Sequence, residues 1–241
     1  AIAEIGAAQA LRAQATQDAR RAGAAPGAAA DSARAALSAT LFGTHGFSGD
    51  SETYEDPANA DLLRMMARRR GLPVALGALY LAIGRSLGLE IAGLSFPGHF
   101  LLRIESGGER VVFDPFAGGE ARSAADLRAL AKAALGDDAE LEPSFFDPVT
   151  NRSVILRLRN NLRVRALRAG EIDRAAELAA GMARLAPDDP GLWMELARIE
   201  ERRGALRAAV AALERRIAAG DGPAGAPKAD ALLRDLRRRL N

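Results

Sequence analysis

The sequence contains no cysteine among its 241 residues. Without cysteine, a chain forms no disulfides and no thiolate metal sites, and it has no thiol nucleophile. Aromatic residues are scarce, at 5%, and histidine occurs only twice, as His45 and His99. Any imidazole-based acid–base chemistry is therefore confined to these two positions.

The chain also lacks an excess of either charge. Its 33 lysines and arginines nearly balance 31 aspartates and glutamates, for a net charge of +2. Nucleic-acid binding needs concentrated positive charge, so we expect no nucleic-acid partner. No apolar run approaches the roughly 20 residues of a membrane span, and the first residues lack the basic flank of a secretory signal. These features predict a soluble, cytoplasmic protein without a membrane partner.

The hydrophobic pattern changes along the chain and predicts two domains, residues 1–148 and 149–241. After Pro73, the segment VALGALYLAIGRSLGL is apolar on nearly all faces, which indicates a central helix. Gly77 and Gly84 in this helix would allow another backbone to approach closely.

Short apolar segments at residues 90–95, 99–105 and 109–114 follow, with ESGGER between the second and third as a hairpin loop. We expect an α+β domain in which the central helix packs on a small antiparallel sheet. Further helices are predicted at residues 1–21, at 57–69 after Pro57, and at 123–135 with Ser123 as the cap.

Residues beyond 149 are predicted to be entirely helical and to repeat. A shift of 34 residues superimposes RAGEIDRAA on RRGALRAAV, placing Gly170 on Gly204 and Ala175 on Ala209. A 34-residue helix–turn–helix period is the tetratricopeptide pattern, so we expect an all-α tetratricopeptide-like bundle. Such repeats bind proteins or peptides in a groove, and the single tryptophan, Trp193, is a candidate either for that groove or for the core between repeats.

Three segments of the first domain carry a family resemblance: RRRGLPVALGALYLAIGRSLGL, PGHFLLR and VVFDPFAGG. They resemble the SirB-type transglutaminase-like core family, within the wider superfamily of papain-like cysteine proteases and transglutaminases. The upstream segment LFGTHGFSGDSETYEDPANADLL is similar to that family as well. The resemblance covers nearly all of the chain beyond about residue 35, and it implies a transglutaminase-like, papain-like fold.

The resemblance also implies where a catalytic triad would lie. In the superfamily a cysteine opens the central helix, a histidine begins one strand and an aspartate ends the next. His99 and Asp114 match the last two positions. Counting back from Gly88 places Pro73 at the cysteine position, and a two-residue slip places Ala75 there. Neither residue is a nucleophile, so the resemblance implies a degenerate triad.

Each candidate residue also has a purely structural interpretation. His99 is also typical of a core histidine held by one hydrogen bond, and Asp114 of a turn former before a proline. Ser95 is the hydroxyl nearest to His99 in sequence, but it lies on the same segment and is poorly placed to attack. His45 would cover the site or end a helix, and no acidic or histidine cluster at ligand spacing indicates a metal.

Arg69 and Arg70 belong to a run of arginines at a helix end. Such runs are usually solvated and complement the helix dipole, but beside a cleft they would orient an acidic ligand. The sequence implies no cofactor, and it indicates no oligomeric state.

Two functions remain open from the sequence. The first is a non-catalytic interaction or regulatory module with a protein or peptide partner. The second is a hydrolase or acyl transferase that uses His99 and Asp114 with a nucleophile other than cysteine or with activated water. Because the thiol is missing beside otherwise recognisable elements, we favour the first.

Overall fold

The computed structural model describes residues 29–218 and 226–240. The chain divides into two compact units, residues 1–154 and 155–241. The division lies a few residues beyond the boundary at 148/149 drawn from the sequence, inside a helix that begins at Asn151. The helix predicted for residues 1–21 lies outside the described residues.

The described part of the first unit combines helices with two sheets. The helices are α1 (Ala29–Ser38), which continues as a π-helical segment (Ala39–Thr44), α2 (Leu62–Arg68), α3 (Pro73–Ser86) and α4 (Ala124–Leu135), with short 3-10 turns at Pro57–Asn59 and Pro143–Phe146. The predicted α4 is confirmed together with its cap, because the hydroxyl of Ser123 accepts a hydrogen bond from the Asp126 amide.

The helix predicted over residues 57–69 is wrong in its first part. Residues 57–59 form a 3-10 turn, and α2 starts only after Asp61. The Asp61 carboxylate accepts hydrogen bonds from the amides of Leu63 and Arg64 and so begins a new helix.

A small parallel pair is formed by β1 (Ser48–Gly49) and β2 (Arg70–Gly71). In the described residues the main sheet has five strands: β3 (Glu90–Leu94), β4 (Leu102–Ser106), β5 (Glu109–Asp114), β6 (Glu120–Ala121) and β7 (Pro148–Val149). Their order across the sheet is β6-β5-β4-β3-β7. Every neighbouring pair in the main sheet is antiparallel. The predicted α+β class with a small antiparallel sheet is therefore confirmed.

The β4–β5 hairpin forms where ESGGER was expected to turn. Gly107 and Gly108 have φ angles of 59° and 84°, which suit a tight hairpin turn, and Ser106 pairs with Glu109. The start of β4, however, was predicted wrongly, because pairing begins at Leu102 and not at residue 99. Pro97 and Gly98, the latter with a φ of 69°, form a turn that delays the strand.

Helix α3 is the centre of the first unit, as the sequence predicted. Ala75, Leu76 and Tyr80 are almost completely buried. The groups that approach Gly77 and Gly84 closely are side chains, not another backbone as expected. The ring of Phe100 lies directly over Gly77, and a Cβ at Gly84 would meet Ile91 Cγ2 at 3.0 Å. The segment before β4 packs on α3 through a ring-on-glycine contact, and β3 packs on it through a methyl-on-glycine contact.

The second unit is helical throughout its described part. Its helices are α5 (Asn151–Arg168, which starts in the first unit), α6 (Ile172–Leu185), α7 (Pro190–Arg202), α8 (Leu206–Ala218) and α9 (Ala226–Leu240). None of the helices in the two described stretches is both long enough and apolar enough to cross a bilayer.

The 34-residue shift found in the sequence also relates the turns of this unit. Gly170 and Gly204 have φ angles of 75° and 81°. The Glu171 amide donates to Ala166 O at 2.9 Å, and at the shifted position the Ala205 amide donates to Glu200 O at 2.9 Å. The two α5–α6 and α7–α8 connections are therefore the same turn, formed twice.

Candidate functional site

The first position of interest is the start of α3, where the superfamily carries its nucleophile. Leu72 precedes the helix without a side-chain cap, and Pro73 occupies its first turn. The Leu72 amide donates to Asn59 O at 2.9 Å, which fixes the entry of the chain. Ala75 is 0% exposed, so its methyl group lies in the core. Neither candidate residue offers a reactive group here.

His99 lies in the turn before β4 and is half-buried. Its Nδ1 is 3.2 Å from Pro97 O, and its ring meets the Phe96 ring edge-on with centroids 6.5 Å apart. The next residue, Phe100, packs over Gly77, two residues beyond Ala75 in α3. The segment that carries His99 is thus held against the first half of α3.

Asp114 ends β5, as the sequence predicted. One carboxylate oxygen, Oδ1, accepts a hydrogen bond from the Phe116 amide at 2.9 Å, and the other, Oδ2, accepts one from Arg122 Nη2 at 3.0 Å. The first contact is that of a turn former, and the second is an ion pair at a largely buried carboxylate. Asp114 therefore has the turn-forming role that one of its two interpretations described.

His99 precedes β4 and Asp114 ends the neighbouring strand β5, but the two residues are not opposite each other in the ladder. In the β4–β5 ladder Leu102 pairs with Phe113, so continuing the register by one residue sets Asp114 beside Leu101. His99 precedes that point by two residues and lies in the turn. In a working triad the carboxylate holds the imidazole in one tautomer. In this structure Asp114 Oδ1 accepts a hydrogen bond from the Phe116 amide, and Oδ2 accepts one from Arg122.

The segments that carry the family resemblance meet around the turn after β5. A Cβ at Gly49 would lie 2.6 Å from the Phe116 ring, and a Cβ at Gly118 would lie 3.3 Å from the Phe42 ring. Tyr54 meets Phe116 edge-on, with ring centroids 6.0 Å apart. The loop that carries Gly49 and Tyr54 therefore packs on the FDPF turn.

Beneath this turn lie two buried hydroxyl groups, those of Ser38 and Tyr80. Gly119 O accepts hydrogen bonds from Arg34 Nη1 at 2.7 Å and from the Ser38 hydroxyl at 3.4 Å. A Cβ at Gly119 would collide with Ser38 and would lie 2.9 Å from the Tyr80 hydroxyl. Burial raises the pKa of Tyr80, which favours the neutral phenol.

A second polar cluster, which the sequence interpretation missed, lies between the loop and α2. The Asp50 carboxylate is 1% exposed and accepts hydrogen bonds from the Thr53 hydroxyl at 2.6 Å and the Thr53 amide at 2.8 Å. Arg68 Nη2 lies 3.4 Å from it. The Thr53 hydroxyl, and then the Thr53 amide, lower the pKa of Asp50 below its usual range against the opposing effect of burial. The Asp-x-x-Thr spacing in GDSET was the available signal.

The remaining candidates lie at the surface or in packing positions. Arg69 is the C-terminal cap of α2, with a φ of 57°, and Arg70 forms an exposed ion pair with Glu52 at 3.0 Å. His45 ends the π-helical segment, where its amide donates to Thr40 O. Ser95 is exposed, and its amide donates to Asp147 O.

Trp193 is partly buried against the core of the helical unit. Its indole Nε1 donates to Pro187 O at 2.8 Å, across the turn that precedes α7. In the parts of the chain that the structure describes, no three histidine, aspartate or glutamate side chains converge as they would around a metal ion.

Comparison with known proteins identifies the family. A sequence profile of the transglutaminase-like superfamily matches residues 6–160, which is more than half of the chain. The chain belongs to this superfamily. Its central α3 and its small antiparallel sheet are those of a transglutaminase-like domain.

Several bacterial relatives show which branch of the superfamily this chain is similar to. A UPF0162 protein of Xylella fastidiosa is 35% identical over 159 residues, which cover 65% of this chain and 57% of the relative. A UPF0162 protein of Vibrio cholerae is 38% identical over 146 residues, covering 60% and 54%. Protein SirB1 of Salmonella typhimurium is 29% identical over 155 residues, covering 64% and 57%.

These matches confirm a SirB-type member of the transglutaminase-like superfamily. The chain spans about half the length of the curated relatives it matches. No solved structure matches this chain.

Proposed function

We propose that this transglutaminase-like chain is non-catalytic and acts by binding a protein or peptide partner, through its transglutaminase-like unit and its tetratricopeptide-like helical unit. One observation carries the proposal. Where the superfamily places a cysteine, this chain has Pro73 and the fully buried Ala75, and it contains no cysteine elsewhere. Acyl transfer through a covalent intermediate needs a side-chain nucleophile at that position.

The hydrogen bonds of Asp114 support the same proposal. A triad carboxylate orients the imidazole and stabilises its charged form. In this chain one carboxylate oxygen accepts a hydrogen bond from the Phe116 amide and the other pairs with Arg122, which suits a structural hairpin exit. The turn that contains His99 positions Phe100 over Gly77 of α3.

The nearly balanced charge supports a partner that is neither nucleic acid nor a membrane. The repeated α5–α6 and α7–α8 turns support a tetratricopeptide-like mode of binding in the helical unit.

Installing the missing thiol tests the non-catalytic assignment. Because the native chain has no cysteine, Pro73→Cys and Ala75→Cys each create a single thiol whose pKa can be followed by the pH dependence of alkylation. We expect a pKa near or above the usual value of about 8.5, unchanged by His99→Ala. Ser95→Cys, at an exposed position on the His99 segment, is the matched control for an ordinary accessible thiol.

Two results would contradict the proposal. One is a thiol at either position whose pKa is depressed and rises again when His99→Ala is added. The other is turnover of an amide, ester or glutaminyl substrate by the native chain that disappears with His99→Ala, which would indicate a hydrolase or acyl transferase using His99 and Asp114.

A further inference from the structure

The helical unit carries an unusual distribution of charge on α5. This helix has arginine at six positions and no aspartate or glutamate: Arg152, Arg157, Arg159, Arg163, Arg165 and Arg168. Elsewhere in the chain the two signs nearly balance. A helix of one sign creates a local positive field that favours negatively charged ligands nearby.

A groove lies beside this helix, within the helical unit. It has a volume of about 720 Å³ and is lined by residues of α5, α6, α7 and α8. Its apolar surface comes from four side chains, Leu156, Met182, Leu192 and Met194. The volume falls within the range of about 300–1,000 Å³ that ligand pockets occupy, and methionines adapt to varied apolar side chains.

The acidic residues that line the groove are already engaged. Asp189 caps α7 by accepting a hydrogen bond from the Gly191 amide at 2.8 Å. Glu195 forms an ion pair with Arg163 at 2.8 Å, and Arg163 also donates to Asn160 Oδ1. Both negative charges are therefore partly neutralised by protein donors before any ligand arrives.

Arg198 is the basic residue of the groove that remains available. It is exposed and lines the groove one helical turn beyond Glu195 on α7. Within the described part of the chain its guanidinium takes part in no hydrogen bond or ion pair. An exposed guanidinium without a side-chain partner can bind a carboxylate through two parallel hydrogen bonds, and the apolar surface beside it can hold the rest of the ligand.

We propose that this groove binds an acidic peptide segment, with apolar side chains on the surface formed by Leu156, Met182, Leu192 and Met194 and a carboxylate paired to Arg198. The inference rests on the proposed partner-binding function and names the chemistry of the partner. The apolar lining favours a peptide over a polyphosphate, because four apolar side chains offer nothing to a phosphate backbone.

Fluorescence anisotropy with the full chain tests this inference. The probes are fluorescein-labelled octapeptides that alternate glutamate with leucine, lysine with leucine, or glutamate with serine. We expect saturable binding of the glutamate–leucine peptide only. Arg198→Glu should weaken it at least about tenfold, because an attractive pair becomes a repulsive one.

Arg207→Glu is the matched control. Arg207 is an exposed arginine of α8 outside the groove lining, and its reversal changes the net charge by the same amount. It should leave the affinity within about twofold. Circular dichroism confirms that each variant keeps its helical content.

The inference is overturned if the glutamate–leucine peptide does not bind, if the lysine–leucine or glutamate–serine peptide binds equally well, or if both arginine variants weaken binding alike. None of these results would bear on the thiol measurements at α3. Conversely, His99-dependent turnover would overturn the non-catalytic assignment and leave this groove unaffected.

Discussion

Large rings pack on glycines in the transglutaminase-like unit, whereas small alanines fill the core of the helical unit. Phe100 lies over Gly77 and Phe116 over Gly49. In the helical unit the buried core is dominated by one residue type: Ala166, Ala175, Ala176, Ala179, Ala183, Ala197, Ala209, Ala212 and Ala229. The first kind of contact depends on one ring and one missing side chain, and the second depends on many small contacts repeated along a period.

The difference suggests how each unit tolerates change. In the first unit a substitution at one partner of a ring–glycine pair should be strongly coupled to the other partner. In the helical unit equivalent positions of the two repeats should respond alike.

The largest effect is expected at the ring–glycine contact of α3. Phe100→Ala should lower the free energy of unfolding by about 3–5 kcal/mol, since it removes a buried ring and leaves a cavity. Gly77→Ala alone should cost about 1–3 kcal/mol by overpacking. In the double variant the added methyl occupies vacated space, so urea denaturation should show a loss smaller than the sum.

Gly43→Ala is the matched control for that cycle, because a methyl group added at Gly43 would meet no neighbouring atom within 4 Å outside its own helical turn. Combined with Phe100→Ala, it should be additive. Additivity for Gly77→Ala as well would show that the ring and the glycine do not depend on each other.

An intermediate loss of stability is expected at the equivalent buried alanines of the two repeats. Ala175 and Ala209 are 34 residues apart, and both are 0% exposed. Ala175→Leu and Ala209→Leu should each reduce the free energy of unfolding by about 1–3 kcal/mol, because both overpack the same kind of helix contact. Ala211→Leu, on the exposed face of α8, should change it by less than about 0.5 kcal/mol. Clearly unequal losses at the two buried alanines would mean that the repeats share a turn but not a packing environment.

The smallest loss of stability is expected at the Asp50 cluster, and this loss should depend on pH. Thr53 lowers the pKa of Asp50 in the folded state below its value in the unfolded chain. The unfolded chain therefore binds the proton more readily, and the stability that Asp50 contributes is full above about pH 4 and is lost as the pH falls through the folded pKa. Thr53→Val removes the hydroxyl hydrogen bond, so its destabilisation in urea should be larger at pH 7 than at pH 3. An identical effect at both pH values would show that the carboxylate gains nothing from Thr53.

Some features of the chain follow from local sequence and are predictable from it. The β4–β5 hairpin depends on two adjacent glycines, the Ser123 cap depends on a residue three positions away, and the 34-residue shift is a direct property of the letters. Residue types alone also excluded a thiol nucleophile. These features involve neighbours in sequence, so pattern and propensity suffice to find them.

Only part of the candidate site could be predicted from the sequence. The residues His99 and Asp114 were found through the family motifs, but their relation depends on where β4 begins, and the turn at Pro97 and Gly98 moved that start to Leu102. The ion pair between Asp114 and Arg122 was not predicted, because β6 is too short to show an alternating pattern.

The sequence by itself determined the fold class, the central helix, the repeat and the lack of a thiol. Only the tertiary structure decided which partners the polar groups take. Arg34 reaches Gly119 O, and Arg68 reaches Asp50, across separations that no local pattern encodes. The physical reason is that a buried polar group must find a partner wherever the packed chain supplies one, and packing brings together residues that are distant in sequence.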